Sequence, residues 1–188
     1  MNNKLFEGKL VRLLVKNPQE CGDYLARWNR NTEYARLLDS NPARAFSAPA
    51  TRKWIEKQQE KSPPNDFFFL VQTLADDKVI GFIDLDGISW SNGDTWVGIG
   101  IGEPDYWGKG YGTDAMNVIL RYAFTELNLR RVSLSVFAYN PRGKRSYEKC
   151  GFREEGRLRQ FLCRDGSRHD MVMMGILREE WEQRNAEG

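Results

Sequence analysis

The chain has 188 residues, enough to close one hydrophobic core and too few for two ordinary domains, so a single domain over 1–188 is expected. Its 28 basic and 26 acidic residues leave a net charge of +2, which excludes a global field that would drive it onto nucleic acid. No apolar run approaches the ~20 residues of a membrane span. The N-terminal residues Met1 to Gly8 show no signal-peptide core, so a cytoplasmic protein is expected. Cys21, Cys150 and Cys163 are far apart, odd in number and outside any Cys-x-x-Cys pair, which argues against a disulfide framework or a metal site.

In chain order, residues 9–15 read as a strand, and Asn17-Pro18 opens a helix through an N-cap and a proline in the first turn. Tyr24, Leu25 and Trp28 point inward from it. Short helices are expected near 33–38 and 51–61, with a proline- and alanine-rich connection over 41–49 that reads equally as a substrate mouth or a plain surface loop. Ser62-Pro63-Pro64-Asn65 is a breaker. Residues 67–73 and 79–88 form a hairpin, and a second turn at Ser91-Asn92-Gly93-Asp94 leads to a third strand over 95–102. Met116, Ile119, Leu120, Ala123 and Leu127 recur at helical spacing. Residues 131–137 alternate as a strand, Asn140-Pro141 begins a helix that Gly151 closes, and a hairpin over 156–176 precedes a short helix from Arg178. The whole reads as α/β: a mixed sheet with helices on both faces.

Chemistry concentrates around the third of these strands. Gly98, Gly100 and Gly102 fall on one face of it, because strand side chains alternate. Glycine inside a strand marks a close approach of ligand or backbone, so either a thin ligand or a tightly packed helix lies there. Next comes Gly108-Lys109-Gly110-Tyr111-Gly112, directly before a helix that starts near Thr113. Backbone amides at a helix start carry partial positive charge, and without Cβ atoms a phosphate comes close: this is a diphosphate cradle. It fails the dinucleotide fingerprint, which needs a third glycine where Thr113 stands, and the Walker pattern, because Gly110 and not Ser or Thr follows Lys109.

The stretch Tyr106-Trp107-Gly108-Lys109-Gly110-Tyr111-Gly112-Thr113-Asp114-Ala115 resembles the acetyl-CoA loop of the GCN5-related N-acetyltransferases, in particular their ribosomal-protein N-terminal and spermidine acetyltransferase branch. Asn140, the helix after it and Tyr147-Glu148-Lys149-Cys150-Gly151-Phe152 are similar to the same superfamily's second signature. The resemblance spans 10–181. It implies a splayed, mostly antiparallel sheet of six to seven strands, acetyl-CoA as donor, an amine acceptor and no metal, and it allows a homodimer. It also implies that the pantetheine arm enters between strands 95–102 and 131–137, beside Gly98, Ile99, Gly100 and Ile101. Cofactor contacts are then expected from those four residues, from Trp107, Gly108, Lys109, Gly110, Tyr111, Gly112 and Thr113, and from Asn140, Lys144 and Tyr147. Asn140 reads equally as the N-cap of its helix. One or two of Arg142, Lys144 and Arg145 suit the 3′-phosphate.

An amine with a pKa near ~10 is protonated at neutral pH, so a base must take its proton before it attacks a thioester. Backbone amides from Gly98 to Ile101 suit the resulting oxyanion. Tyr147 matches the family's thiolate-protonating acid, or else only packs on or hydrogen-bonds to the cofactor sulfur. Related enzymes carry an acidic residue where Trp96 stands, which leaves Asp84 and Asp86 on the neighbouring strand as candidate bases and Glu103 as a third. The single histidine, His169, has no visible partner and is set aside. The acceptor is expected to be a protein N-terminus or a small amine, read by segments 29–49 and 161–169. A polyamine stays open, although beyond Glu33 and Asp39 no acidic cluster is visible early in the chain. A non-catalytic acyl-CoA-binding module is the other alternative.

Overall fold

The computed structural model describes residues 4–59 and 65–186. The elements run β1 (Val11–Leu14), α1 (Pro18–Trp28), α2 (Thr32–Leu38), α3 (Ala48–Gln59), β2 (Phe67–Thr73), β3 (Val79–Ser89), β4 (Asp94–Ile101), α4 (Tyr111–Arg121), β5 (Arg131–Phe137), α5 (Pro141–Cys150), β6 (Arg153–Arg164), β7 (Ser167–Leu177) and α6 (Arg178–Ala186). The expected breaker at Ser62-Pro63-Pro64 and the end of the third expected helix lie outside the described residues.

Asparagine begins three of the helices. Asn17 accepts from the Glu20 amide at 2.9 Å, Asn31 from those of Glu33 and Tyr34, and Asn140 from that of Gly143 at 2.9 Å. Each such cap contributes about 1 kcal/mol relative to alanine. α5 closes on Gly151, whose φ of 100° suits a residue without a Cβ. The helical spacing of Met116 to Leu127 continues past α4 as one π-helical turn, Tyr122–Glu126. There the Leu127 amide reaches back five residues to the Tyr122 carbonyl, and Ala123 and Phe124 are both buried.

The strands form a seven-stranded sheet in the order β1-β2-β3-β4-β5-β7-β6. Every pairing is antiparallel except β4 with β5. That one parallel contact is short: Asp94, Thr95 and Trp96 oppose Arg131, Val132 and Ser133, and beyond Trp96 the strands part. β4 stays paired to β3 as far as Ile101, while β5 pairs with β7 along its whole length.

The main core lies between the sheet and α4, where Met116, Ile119 and Leu120 are fully buried against Ile83, Leu85 and Leu134. Burying a side chain of that size contributes about 2 kcal/mol. On the other face α1, α2 and α3 cover a smaller core around Trp28, Tyr34, Ile55 and Leu70.

The glycine stripe of β4 faces this second core, and protein fills the space it leaves. A Cβ on Gly98 would lie 2.5 Å from Asp84 Oδ1, one on Gly100 2.5 Å from the Tyr34 hydroxyl, and one on Gly102 2.1 Å from Trp28 Cγ. The reading of the stripe as the seat of a thin ligand is therefore corrected in favour of packing from the helix layer. Gly102→Ala should lower the stability to urea by about 1–3 kcal/mol through overpacking against Trp28. Gly112→Ala, whose Cβ would make ordinary contacts with Ile101 Cγ1 at 3.6 Å and Ile99 Cδ1 at 3.9 Å, should leave the urea midpoint unchanged or slightly raised. Equal midpoints for the two variants would contradict this account of the stripe.

Candidate active site

The parting of β4 from β5 opens a cleft of about 300 Å³. Its walls are Ile99, Gly100 and Ile101 of β4, Trp107, the three glycines and Thr113 of the turn before α4, one side of α5, and Tyr34, Leu37 and Leu38 of α2. Gly102 donates its amide to the Ile80 carbonyl of β3 at 2.8 Å. Strand alternation therefore turns the amides of Gly98 and Gly100 to β3 as well, and those of Ile99 and Ile101 to the open edge. Of the amides from Gly98 to Ile101 that suit an oxyanion, those of Ile99 and Ile101 are the two on the open edge.

At the floor of the cleft, Gly110 is the N-cap of α4, in the left-handed region at φ 92°, and no side chain caps the helix. The first intrahelical bond is Asp114 N to Gly110 O, at 2.9 Å. The amides of Tyr111, Gly112 and Thr113 are thus helix-start donors without an intrahelical acceptor. Gly108, at φ 73°, has open space where a Cβ would stand. This is the geometry that admits a diphosphate, and the residues fit the group. Thr113 Oγ1 lies 2.8 Å from Ser146 Oγ, which pins the start of α4 to α5. Asp114 would oppose an anion there, but its carboxylate accepts the amides of Lys9, Leu10 and Val11 at 3.1, 2.7 and 3.0 Å. Three donors draw its charge toward the N-terminal segment, a role that nothing in its sequence context indicates.

The remaining expected cofactor contacts divide. Asn140 lines the cleft while its side chain caps α5, so its two expected roles are compatible. Trp107 lines it too, but its single side-chain donor goes to the Ile101 carbonyl at 2.6 Å, and its ring carries the Arg142 guanidinium 4.1 Å above it. Tyr111 packs its ring edge-on against Tyr106 at 5.1 Å. Lys109 is exposed on the turn, outside the lining of the cleft. Lys144 is also outside that lining, and its ammonium is held by Glu154 at 2.8 Å and Glu148 at 3.7 Å. The cations that do face the cleft from α5 are Arg142, Arg145 and Lys149. Their spacing of three and four residues marks one helix face, a signal that would have separated them from Lys144.

Tyr147 lines the cleft, with its ring edge against Phe152 at 6.2 Å. Burial pushes its phenol up to about 12. Asp84 and Asp86 share the face of β3 opposite α4 and are not equivalent. Asp84 reaches across β4 through the space that Gly98 leaves. Its Oδ1 is buried without a hydrogen-bond partner, as is the hydroxyl of nearby Tyr34. Burial, and then the charges of Asp86 and Asp66, push its carboxyl up to about 7. Asp86 is exposed, directly opposite Trp96 on β4. Glu103 is tied to Arg27, to Trp28 Nε1 at 2.9 Å and to Lys78 at 3.6 Å, and it lies outside the lining of the cleft. His169 packs its ring against Tyr139, 5.0 Å away.

The two segments expected to read the acceptor touch each other. Arg164 on the β6–β7 hairpin donates to the carbonyls of Asp39, Ser40 and Asn41 at 2.9, 3.2 and 2.7 Å. Arg36 pairs with Asp165, and the Tyr139 hydroxyl donates to the Arg36 carbonyl at 2.6 Å.

The chain matches the model of the acetyltransferase (GNAT) domain over residues 12–153 and belongs to that family; it is an acetyltransferase. Among its relatives, the N-acetyltransferase YokL of the SPbeta prophage of Bacillus subtilis is 33% identical over 136 residues, 72% of this chain and 74% of that one. The putative ribosomal N-acetyltransferase YdaF of the same bacterium is 29% identical over 174 residues, 93% and 87% of the two chains. Among solved structures, the spermidine N-acetyltransferase of Vibrio cholerae in complex with CoA and spermine superposes with a TM-score of 0.79 at 26% identity, over 92% of this chain and 96% of that one. The splayed sheet expected from the resemblance is therefore the fold observed. Among the described residues, no helix is long and apolar enough to cross a membrane, and no cluster of His, Cys, Asp and Glu has the makings of a metal site.

The raised carboxyl of Asp84 has a consequence for stability. Below the ordinary carboxylate range the group is protonated whether the chain is folded or not. As pH rises from there to about 7, the unfolded chain ionises freely while the folded one must bury a charge, so stability falls across that window. Asp84→Asn should therefore raise the melting temperature relative to the native chain more at pH 8 than at pH 4. An equal difference at both pH values would show that Asp84 titrates as an ordinary surface carboxylate.

Proposed function

We propose that this enzyme moves an acetyl group from acetyl-CoA to a primary amine, a protein N-terminus or a small-molecule amine, by direct attack in a ternary complex. The observation that carries the proposal is the open edge of β4 running into the uncapped start of α4. It offers amide donors for a thioester and for a diphosphate along one line. The CoA complex of the Vibrio cholerae neighbour supports the donor, and the names of the ribosomal and spermidine relatives support an amine acceptor. Acetyl-CoA supplies an activated acetyl group on a sulfur leaving group.

The roles of the chain follow from its chemistry. The amides of Tyr111, Gly112 and Thr113 hold the diphosphate, and Arg142, Arg145 and Lys149 offer charge to the 3′-phosphate. The amides of Ile99 and Ile101 face the reacting carbonyl from the open edge and stabilise the charge that develops on its oxygen. Asp84, in place of the acid that Trp96 displaces on β4, takes the proton of the acceptor's ammonium, directly or through a water over Gly98. A carboxyl near 7 is half ionised at the working pH, which suits a base. Tyr147, which lines the cleft, would offer its hydroxyl to the sulfur as it leaves. Its proton is held to about 12, against about 8.5 for an ordinary thiol, so full transfer runs uphill. Tyr147 therefore serves chiefly as a hydrogen-bond donor to the forming thiolate.

Purified protein with acetyl-CoA and a panel of amines, N-terminal peptides and polyamines should release free thiol, and mass spectrometry should find an acceptor heavier by one acetyl group. Tyr147→Phe should lower kcat by about a hundredfold while the CoA dissociation constant stays within about twofold. Thiol release from no amine in the panel would refute the activity; an unchanged kcat would remove Tyr147 from the reaction.

A further inference from the structure

In the proposed reaction the base and the cleft do not touch. Asp84 is absent from the cleft lining and instead lines a second cavity, of about 260 Å³, between α3 and the sheet, together with Asp66 and Asp86. Tyr34 stands between the two. It lines the cleft from α2 and is only 3% exposed. Its hydroxyl is buried without a hydrogen-bond partner, and so is Asp84 Oδ1. The two oxygens lie over successive glycines on one face of β4. A Cβ on Gly100 would stand 2.5 Å from the Tyr34 hydroxyl, and one on Gly98 2.5 Å from Asp84 Oδ1, positions about 7 Å apart along a strand. Leaving a buried hydroxyl unpaired is costly, and phenylalanine would fill the same space without that cost. Burial, and then the charge of Asp84, hold the Tyr34 proton well above the ordinary phenol range. The hydroxyl therefore does not persist as a phenolate, and it passes a proton on only while accepting another.

We propose that the Tyr34 hydroxyl is a proton relay of the reaction, carrying the proton of the acceptor ammonium from the cleft to Asp84 through ordered water. The inference rests on the reading of Asp84 as the base and deepens it. The ammonium N–H gives its proton to the Tyr34 oxygen as the Tyr34 O–H gives its own to water, and the water passes a proton to Asp84 Oδ1. The ammonium becomes an amine with a free lone pair, the carboxylate becomes a carboxyl, and Tyr34 and the water end unchanged. Two buried oxygens without partners are the setting in which bound water is found. The second cavity, whose wall includes the half-exposed Trp54, lets Asp84 return its proton to solvent. The charged groups that act on Asp84 are Asp86 from its own strand and Asp66 ahead of β2, and Tyr34 faces it from α2.

The test follows the Asp84 carboxyl carbon by nuclear magnetic resonance through a pH titration of the CoA-loaded native protein and of Tyr34→Phe, which keeps the ring and its packing and should fold. A hydrogen-bonded path to Tyr34 stabilises the carboxylate, so its loss should move the midpoint about one pH unit higher. Turnover supplies the second readout. With propylamine at pH 7, where an alkyl amine near ~10 is protonated, kcat/KM of Tyr34→Phe should fall at least about tenfold below that of the native enzyme. With trialanine at pH 9, where an α-amino group near ~8 is mostly free, the two should agree within about twofold. An Asp84 midpoint equal in the two proteins would overturn the proposal. So would losses of equal size with the two probes, which would make Tyr34 a wall of the cleft and nothing more. A raised midpoint without thiol release from either probe supports the path and counts against the acetyl-transfer reading instead.

Discussion

The separation of β4 from β5 after three paired residues is the constraint on which the rest of the molecule depends. A central strand ordinarily satisfies its backbone on both sides, and each group left unpaired in a buried setting costs about 1–3 kcal/mol. β5 avoids that loss by pairing with β7 along its length, and one side of β4 avoids it through β3. On the open side, the Trp107 indole takes the Ile101 carbonyl. The amides of Ile99 and Ile101 remain turned to the cleft. The same parting leaves room for α5 to bring Tyr147 and three cations to one wall, and for α4 to point its uncapped start at the other.

What the glycines of β4 do follows from this. Their spacing signals a close approach, and a close approach is what the structure shows, from Trp28, Tyr34 and Asp84. The helix layer can then sit low on the strand, and α2 becomes a wall of the cleft. Gly98 has the further effect of leaving room for the Asp84 carboxylate of β3 beside β4. The Asp84 carboxylate then keeps a buried oxygen without a hydrogen-bond partner. Strain of that kind is common where chemistry is done and rare elsewhere.

Elements whose signals are local were legible in the sequence. β2 falls on the residues expected from the hairpin turn, β5 on those expected from alternation, and α5 begins and ends at Asn140 and Gly151, because turns, alternation and caps are properties of neighbouring residues. The two motifs likewise placed the cleft. What escaped depends on residues brought together from a distance. Asp66, Asp84 and Asp86 meet around one cavity although Asp66 is eighteen residues from Asp84 in the chain, and so no acidic cluster could be read from composition. Asp114 finds its donors about a hundred residues away. Lys144 has the right charge and neighbourhood but points to Glu154, which only the packing of β6 beside α5 reveals. The π-helical turn after α4 left no trace in the periodicity, because one extra residue per turn still keeps Ala123 and Phe124 on the apolar side.

The central claim is that the donor lies along the open edge of β4 and on the start of α4. Amide chemical shifts followed by nuclear magnetic resonance while CoA is added test it directly. The account predicts the largest changes at Ile99, Ile101, Tyr111, Gly112 and Thr113, with small changes at Gly98 and Gly100, whose amides are turned to β3. Changes centred on the α1–α3 face of the sheet, with the start of α4 silent, would contradict it.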